Sequence, residues 1–199
     1  MGAAGQLDRE VVRALGARGH TVSAVVRRPP VSAIENSVEV GLADARYEKE
    51  LAPALQGVDA LVNVIGGGTL RRNDVASTTT AVAMAAAQEI GIHRYIAMSA
   101  GMLALDRPLF KYVLVPLIFR HILAEHRRVE EIVRASALAW TIVRPSALTN
   151  RPARGHVASL KPQPRAFLTT RADVAAFIAD EIESNKFVPQ AVFTASRRA

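Results

Sequence analysis

The sequence contains no cysteine among its 199 residues. Disulfide bonds, thiolate catalysis and cysteine-ligated metal centres are therefore excluded. Aromatic residues are also scarce, at 5% of the chain. Because a chain without disulfides suits a reducing compartment, we expect a cytoplasmic protein.

Long uncharged hydrophobic runs are missing as well. The most apolar stretch, residues 108–124, is interrupted by Lys111, Pro116 and Arg120. A membrane-spanning helix needs about 20 mostly uncharged residues, so we expect no membrane insertion. No basic segment precedes an apolar one at the N-terminus, and no signal peptide is predicted.

The net charge is positive, but the basic residues are not clustered in the sequence. Lysine and arginine number 25 against 18 acidic residues, for a net charge of +7. The basic residues are scattered in ones and twos, which predicts a site for an anionic small molecule and no nucleic-acid partner. The histidines show no ligand spacing, so we expect no metal site; they are His20, His93, His121, His126 and His156.

Short apolar runs alternate with helical patterns along the whole chain, which is typical of a parallel sheet with crossover helices. The predicted strands cover residues 21–26, 38–40, 58–65, 93–98, 140–143 and 188–194. Leu7, Val11 and Leu15 predict an amphipathic helix between them, and Thr170 with Asp173 predicts a capping box at the start of the last helix. We therefore predict one Rossmann-like, doubly wound α/β domain over residues 1–199.

A dinucleotide-binding fold begins with a central strand that leads into a glycine loop. Here Gly2 follows Met1 directly, so the first strand is expected to be missing at the N-terminus. Such a sheet would leave backbone groups unpaired in its core, each costing on the order of 1–3 kcal/mol.

Gly2, Gly5 and Asp8 have the spacing of the G-x-x-G-x-x-G loop, with aspartate in the third glycine position. Glycines let the backbone turn tightly and approach a pyrophosphate, whose charge then meets a helix N-terminus. Asp8 departs from this pattern, because its carboxylate is bulkier and would repel phosphate. Alternatively, Asp8 simply favours the first helical turn.

No acidic residue lies between Glu10 and Glu35, where an NAD-binding fold carries a carboxylate for the ribose. The predicted strand over residues 21–26 is followed instead by Arg27 and Arg28. Paired guanidinium hydrogen bonds to a 2′-phosphate favour NADP(H) as the cofactor. The alternative is two solvated surface arginines.

Six blocks of the sequence resemble the atypical short-chain dehydrogenase/reductase families, and the resemblance covers essentially the whole chain. They are GAAGQLDREVV, VVRRP, GVDALVNVIG, RYIAMSA, LAEHRRVEEIVRASALAWTIVRPSALTN and TTRADVAAFI. The chain is most similar to NAD(P)H-binding proteins grouped with NmrA-like proteins and biliverdin reductase B (flavin reductase).

The resemblance implies roles for individual residues. The pyrophosphate would lie against Gly2, Gly5, Gln6 and Leu7. The adenosine end would contact Arg27 and Arg28 at the 2′-phosphate and Asp44 at the adenine. The nicotinamide end would contact Gly66 below the ribose, Ser99 near the reacting ring and Pro145 above it.

The catalytic pair of these families is absent. Typical members use a tyrosine and a lysine four residues later, but Tyr47, Tyr95 and Tyr112 have no such lysine. Ile122 and His126 occupy the two helix positions instead. His126 is either a substitute acid or, as we favour, a surface histidine of a charged helix.

Ser99 is the candidate catalytic residue, orienting a substrate carbonyl by a hydrogen bond. Alternatively, its hydroxyl satisfies backbone groups at a strand end. Residues 146–164, rich in proline, glycine and arginine, are predicted to form a loop over the site.

Three functions remain open. The first is hydride transfer from NADPH to a planar small-molecule acceptor such as a flavin, quinone or tetrapyrrole. The second is a non-catalytic NADP(H)-binding redox sensor or regulator, NmrA-like. The third is a degenerate protein in which the missing strand and Asp8 together abolish cofactor binding. Nothing in the sequence indicates an oligomeric state.

Overall fold

The computed structural model describes residues 1, 5–27, 38–66, 73–101, 118–162 and 168–197. The helices in these ranges are α1 (Gln6–Gly16), α2 (Glu48–Ala54), α3 (Val75–Glu89), α4 (Arg120–Arg134) and α5 (Arg171–Ser184). The strands are β1 (Val22–Val26), β2 (Val38–Leu42), β3 (Ala60–Asn63), β4 (Arg94–Met98), β5 (Ala139–Pro145), β6 (Ala147–Thr149), β7 (His156–Ser159), β8 (Leu168–Thr170) and β9 (Gln190–Ser196).

The strands form a five-stranded sheet and two strand pairs. The large sheet has the order β3-β4-β5-β9-β7, in which only β7 runs antiparallel to its neighbour. Strands β1 and β2 form a separate parallel pair, as do β6 and β8. The predicted Rossmann-like α/β fold is confirmed.

Helices cover both faces of the large sheet, as β4 shows. Its buried Tyr95 belongs to a core with α2, α3 and α4, whereas the next residue, Ile96, belongs to a core with α1 and α5. Successive side chains of a strand point to opposite faces. The apolar run of β4 is therefore buried on both sides, as a doubly wound sheet requires.

Helix α1 buries Leu7, Val11 and Leu15, as their spacing predicts. Helix α5 begins at the predicted cap, where Thr170 Oγ1 accepts a hydrogen bond from Asp173 N at 3.0 Å. Both local predictions are confirmed, because each depends only on residues close in sequence.

The sheet is interrupted between β1 and β3, which are not paired with each other. A cavity of about 440 Å³ lies between residues 22–25 of β1 and 60–62 of β3, with Val11, Val12 and Leu15 of α1 also lining it. We call this cavity the strand gap. Within the described residues no strand precedes α1, and the Met1 ammonium reaches the gap, donating to Val62 O at 2.6 Å.

The prediction of a loop over residues 146–164 is wrong in part. Two short strands, β6 and β7, lie within it, and β7 pairs with β9. The Asp173 carboxylate also accepts hydrogen bonds from Arg154 N and Gly155 N, at 3.1 and 2.9 Å. These long-range partners order a segment whose composition alone is typical of a loop.

Candidate cofactor-binding site

The carboxyl ends of β3, β4 and β5 bring three predicted site residues to one edge of the sheet. These parallel strands are neighbours, so Gly66 follows β3, Ser99 follows β4 and Pro145 ends β5. Ser99 N donates to Val143 O at 2.8 Å, which extends the pairing one residue beyond β4. Crevices outside this edge are where open α/β sheets bind ligands.

The Ser99 hydroxyl donates to the Glu130 carboxylate at 2.7 Å. Arg144, next to Pro145, holds the same carboxylate with two hydrogen bonds, from Nε at 2.8 Å and Nη2 at 2.5 Å. This buried cluster joins β4, α4 and β5. The Ser99 hydroxyl therefore donates to a side chain and not to a strand-end carbonyl, and it is not free.

The electrostatics of the cluster favour an ionised Glu130. Burial opposes ionisation, but the hydrogen bonds from Arg144 and Ser99 outweigh it and hold the pKa of Glu130 below its ordinary value. The Arg144 guanidinium also stacks on the Phe193 ring, at 5.1 Å from the ring centroid, and this contact helps to hold the guanidinium in place. Glu130 thus orients the Ser99 hydroxyl and neutralises Arg144.

Sequence patterns did not single out Glu130 or Arg144. They lie in different elements, and Glu130 is one of several charged residues in the run LAEHRRVEEIVR. The only local signal concerns Glu130, which follows His126 by four residues and so lies on the same helix face.

His126 is not a surface residue, so the interpretation favoured from the sequence is wrong. It is only 7% exposed, because α4 turns His126, Glu125 and Glu130 towards α3 and the sheet. Burial lowers the pKa of His126, an effect that the charges of Glu130 and Glu125 oppose. Its Nδ1 is buried without a hydrogen-bond partner among the described residues.

The tyrosines do not replace the missing acid in the described ranges. Tyr95 is fully buried, and burial raises its pKa to about 12 while Asn63 donates to its hydroxyl at 3.0 Å. Tyr47 is exposed at the start of α2. Tyr112 lies outside the described residues.

Gly101 and Pro145 approach each other too closely for a side chain. A Cβ on Gly101 would lie 2.6 Å from Pro145 O, a backbone atom that no rotamer change can move. This contact sets how the chain leaves β4 past Ser99, and it requires glycine.

We therefore expect Gly101→Ala to displace the backbone around Ser99 and Pro145. The free energy of unfolding in urea should fall by about 1–3 kcal/mol, the usual cost of overpacking. Gly66→Ala is the matched control, since an added Cβ there meets nothing within 4 Å. Equal stability of the two variants would contradict the steric role of Gly101.

Gly5 is the N-cap residue of α1; its backbone is extended, and it makes no side-chain cap hydrogen bond. Gln6 is exposed, and its Oε1 accepts from Asn150 Nδ2 at 3.4 Å. The Leu7 side chain is buried in the core and is therefore not available to a pyrophosphate. The prediction for Gly2 lies outside the described residues.

Asp8 is buried, with 8% of its surface exposed. Burial raises the pKa of its carboxyl to about 7, although the Met1 ammonium and the amides of Asp8 and Gly5 favour the ionised form. Oδ1 has no hydrogen-bond partner within the part of the chain that the structure describes. Asp8 also lines the strand gap. The third glycine of the loop normally allows the helix to pack closely on a central strand, and the Asp8 side chain occupies that position.

At the far end of the site, Arg27 and Asp44 follow the neighbouring strands β1 and β2. Hydrogen bonds from Arg46 hold the pKa of Asp44 below its ordinary value, and the charge of Arg27 contributes. Arg46 Nε donates to Asp44 Oδ1 at 3.0 Å, so a second guanidinium joins Arg27 here. Arg28 lies outside the described residues.

A further cation lies near the first turn of α1. Arg171, the first residue of α5, donates to Asn150 Oδ1 at 2.6 Å, and Asn150 in turn contacts Gln6. No local sequence pattern indicates this series of hydrogen bonds, because its members lie 144 and 21 residues apart.

The described ranges contain no group of three or more histidine and acidic residues able to hold a metal ion. None of their helices combines the length and apolar character that a membrane span requires.

A protein-family model described as NAD(P)H-binding matches residues 2–185 of this chain. The uncharacterized sugar epimerase YhfK of Bacillus subtilis (strain 168) is 32% identical over 183 residues, spanning 88% of this chain and 82% of that protein.

Solved structures have the same fold. A candidate NAD-dependent epimerase/dehydratase from Bacillus halodurans superposes with a TM-score of 0.83 at 22% identity, covering 100% of this chain and 93% of that one. A short-chain dehydrogenase/reductase from Veillonella parvula DSM 2008, in complex with NADP, gives 0.79 at 19% identity, with 98% and 92% covered. A candidate NADH-flavin reductase from Streptococcus pneumoniae TIGR4 gives 0.81 at 19% identity, with 98% and 96% covered.

Proposed function

Because this chain belongs to the NAD(P)H-binding family whose model matches residues 2–185, we propose that it is an NADPH-dependent reductase of a planar small molecule. The acceptor class is a flavin, quinone or tetrapyrrole. The bound cofactor would supply the hydride, and the protein would supply binding, orientation and exclusion of water.

The Ser99–Glu130–Arg144 cluster carries this proposal. It occupies the position where the reacting ring is expected, yet its groups are poor proton donors near neutral pH. Glu130 is held ionised, and the Ser99 hydroxyl donates to it. Such a site suits an acceptor that takes a hydride and then collects its proton from solvent.

The residues present fit a dinucleotide along the carboxyl edge. The first turn of α1 has no side-chain cap from Gly5, and helix N-termini are general sites for anions, although the amides of Gly5 and Asp8 hydrogen-bond to the Asp8 carboxyl. Arg27 would supply positive charge at the adenosine end, where Arg46 is already paired with Asp44, and Gly66 leaves open space beside β3. Asp8 fits less well, because its ionised form would repel the pyrophosphate.

The test is anaerobic oxidation of NADPH at 340 nm with a panel of flavin mononucleotide, menadione and biliverdin. We expect saturable turnover with at least one acceptor, well above the rate without protein. Saturable NADPH binding without reduction of any acceptor would contradict the proposal.

Specificity for NADPH over NADH is assigned to Arg27. Charge-assisted hydrogen bonds contribute about 1.5–3 kcal/mol, so Arg27→Ala should weaken NADPH binding by roughly ten- to a hundredfold and leave NADH nearly unchanged. Fluorescence titration measures both. Arg127→Ala, exposed on α4, is the control, and an equal loss for both dinucleotides would contradict the assignment.

A non-catalytic regulator remains the alternative, since it also needs no proton donor. The link from Gln6 through Asn150 to Arg171 would connect the cofactor site with the segment after β5. A change in partner binding between NADP+ and NADPH would support regulation, whereas steady turnover would exclude a purely non-catalytic protein.

A further inference from the structure

We propose that Arg171, held in place by Asn150, binds the pyrophosphate of the dinucleotide. Arg171 is the first residue of α5 and lies outside the glycine loop. This inference rests on the proposed cofactor site, to which it adds a cation, and it does not depend on which acceptor is reduced.

Strand pairing brings Asn150 and Arg171 together. Strands β6 and β8 run parallel, and their last residues, Thr149 and Thr170, are partners in the register. Asn150 and Arg171 follow directly, so both lie at the same end of the strand pair. Arg171 Nη1 donates to Asn150 Oδ1 at 2.6 Å, a short hydrogen bond from a charged donor.

Helices α1 and α5 lie side by side and begin at the same edge of the sheet. Near their carboxyl ends, Arg18, which follows α1, pairs with Glu183 of α5 at 2.9 Å. At their amino ends, Asn150 bridges Arg171 and Gln6, and its Nδ2 donates to Gln6 Oε1 at 3.4 Å. Arg171 therefore lies beside the first turn of α1, where the pyrophosphate is expected.

The segment that begins with Asn150 is held at both ends by the first turn of α5. Arg171 holds Asn150, and the Asp173 carboxylate accepts from the amides of Arg154 and Gly155, at 3.1 and 2.9 Å. Asp173 is only 1% exposed, so water competes little for these hydrogen bonds. Asn150 and Arg171 are thus in place before a ligand binds, which lowers the entropy cost of binding.

The Arg171 guanidinium can serve a second partner. It is half-buried, forms no ion pair within the described part of the chain, and donates there only to Asn150. A guanidinium carries several N–H donors in a planar fork, so others remain for a ligand. Phosphate oxygens match this fork, and a negative charge strengthens the bonds. The arrangement therefore favours a phosphate over a neutral group.

A cation is needed at this place because of Asp8. The Asp8 carboxylate occupies the third glycine position and repels phosphate when it is ionised. The first turn of α1 supplies only partial positive charge, from its backbone amides. Arg171 supplies a full positive charge beside the same turn and so offsets the repulsion. The pyrophosphate would lie between the first turn of α1 and Arg171.

Arg171 and Arg27 are expected to act on different parts of the cofactor. Arg27 is assigned to the 2′-phosphate, which only NADPH carries, whereas the pyrophosphate is common to NADPH and NADH. Loss of the Arg171 guanidinium should therefore weaken both dinucleotides alike. It should also weaken ADP-ribose, which contains the pyrophosphate, and spare adenosine 2′-monophosphate, which does not.

The test is isothermal titration calorimetry of Arg171→Gln with NADPH, NADH, ADP-ribose and adenosine 2′-monophosphate. From the strength of charge-assisted hydrogen bonds, we expect the first three ligands to bind roughly ten- to a hundredfold more weakly and the fourth to be unaffected. Arg151→Gln is the matched control, because it removes the same charge from an exposed side chain next to Asn150. This control should bind all four ligands as the unchanged protein does.

A second variant, Arg171→Lys, separates ligand binding from support of the segment. Lysine keeps the charge and can still donate to Asn150, but it lacks the planar fork. We expect Arg171→Lys to bind ADP-ribose more weakly than the unchanged protein and more tightly than Arg171→Gln. The midpoint of urea unfolding should be similar in all these proteins, because Arg171 makes a single hydrogen bond near the surface.

Equal affinity of Arg171→Gln and the unchanged protein for ADP-ribose would overturn this assignment while leaving the proposed cofactor site intact. An equal loss in Arg151→Gln would also overturn it, since a general effect of charge would then explain the result. The same holds for an equal loss of adenosine 2′-monophosphate binding, which would indicate a disturbed fold. Absence of ADP-ribose and NADPH binding by the unchanged protein would contradict both this assignment and the proposed function.

Discussion

Replacing Asp8 with asparagine is expected to stabilise the protein increasingly as the pH rises from 4 to 8. Burial raises the pKa of Asp8 from 3.8 to about 7 in the folded state. Between these values the folded protein holds a proton that the unfolded chain has lost, so its stability falls as the pH rises. The asparagine variant should avoid this loss, which is on the order of 4 kcal/mol at pH 8.

Urea unfolding of both proteins at pH 4.5, 6 and 8 measures this effect. Glu10→Gln is the control on the same helix, because Glu10 pairs with Arg13 at the surface, where such pairs contribute little. A constant difference between Asp8→Asn and the unchanged protein across this range would contradict the raised pKa.

The same substitution should strengthen NADPH binding at pH 8, where the ionised Asp8 would repel the pyrophosphate near the first turn of α1. At pH 5.5, where Asp8 is mostly protonated, the two proteins should bind with similar affinity. This result would also show that Asp8 weakens cofactor binding without abolishing it.

Removing the Glu130 carboxylate is expected to have the second large effect. Glu130→Ala leaves Arg144, whose side chain is 18% exposed, without its ion-pair partner and Ser99 without its acceptor. Loss of one member of a buried pair costs about 3–5 kcal/mol. Glu130→Gln keeps the shape and one acceptor, so its cost should be smaller, about 1–3 kcal/mol.

Thermal and urea unfolding at pH 7 test this prediction, with the exposed neighbour variant Glu131→Ala as the control. Because the folded-state pKa of Glu130 is lowered, its contribution should be complete above the ordinary carboxyl pKa. It should be lost as the pH falls through the folded value. Equal stability of Glu130→Ala and Glu131→Ala would contradict the role of the cluster.

The elements that sequence analysis predicted are those whose signals are local. Helix α1 is indicated by the spacing of Leu7, Val11 and Leu15. The start of α5 is indicated by the Thr170 cap. Neither signal depends on distant partners. The strand-helix alternation likewise indicated the fold.

The site was less predictable, because its contacts cross the fold. Ser99 was identified, but its acceptor Glu130 is 31 residues away and Arg144 is in another strand. His126 looked exposed because it lies in a charged run, yet its neighbours Glu125 and Glu130 are buried with partners. Glu125, for example, accepts from Ser77 N at the start of α3, at 2.7 Å.

Cofactor binding is the claim on which the proposed function depends, and fluorescence titration with NADPH and NADH at pH 6 tests it most directly. We expect saturable binding of both dinucleotides, tighter for NADPH, with adenosine 2′,5′-bisphosphate displacing it. Absence of saturable NADPH binding at this pH, by a chain shown to be folded, would contradict a dinucleotide site at the carboxyl edge of this sheet.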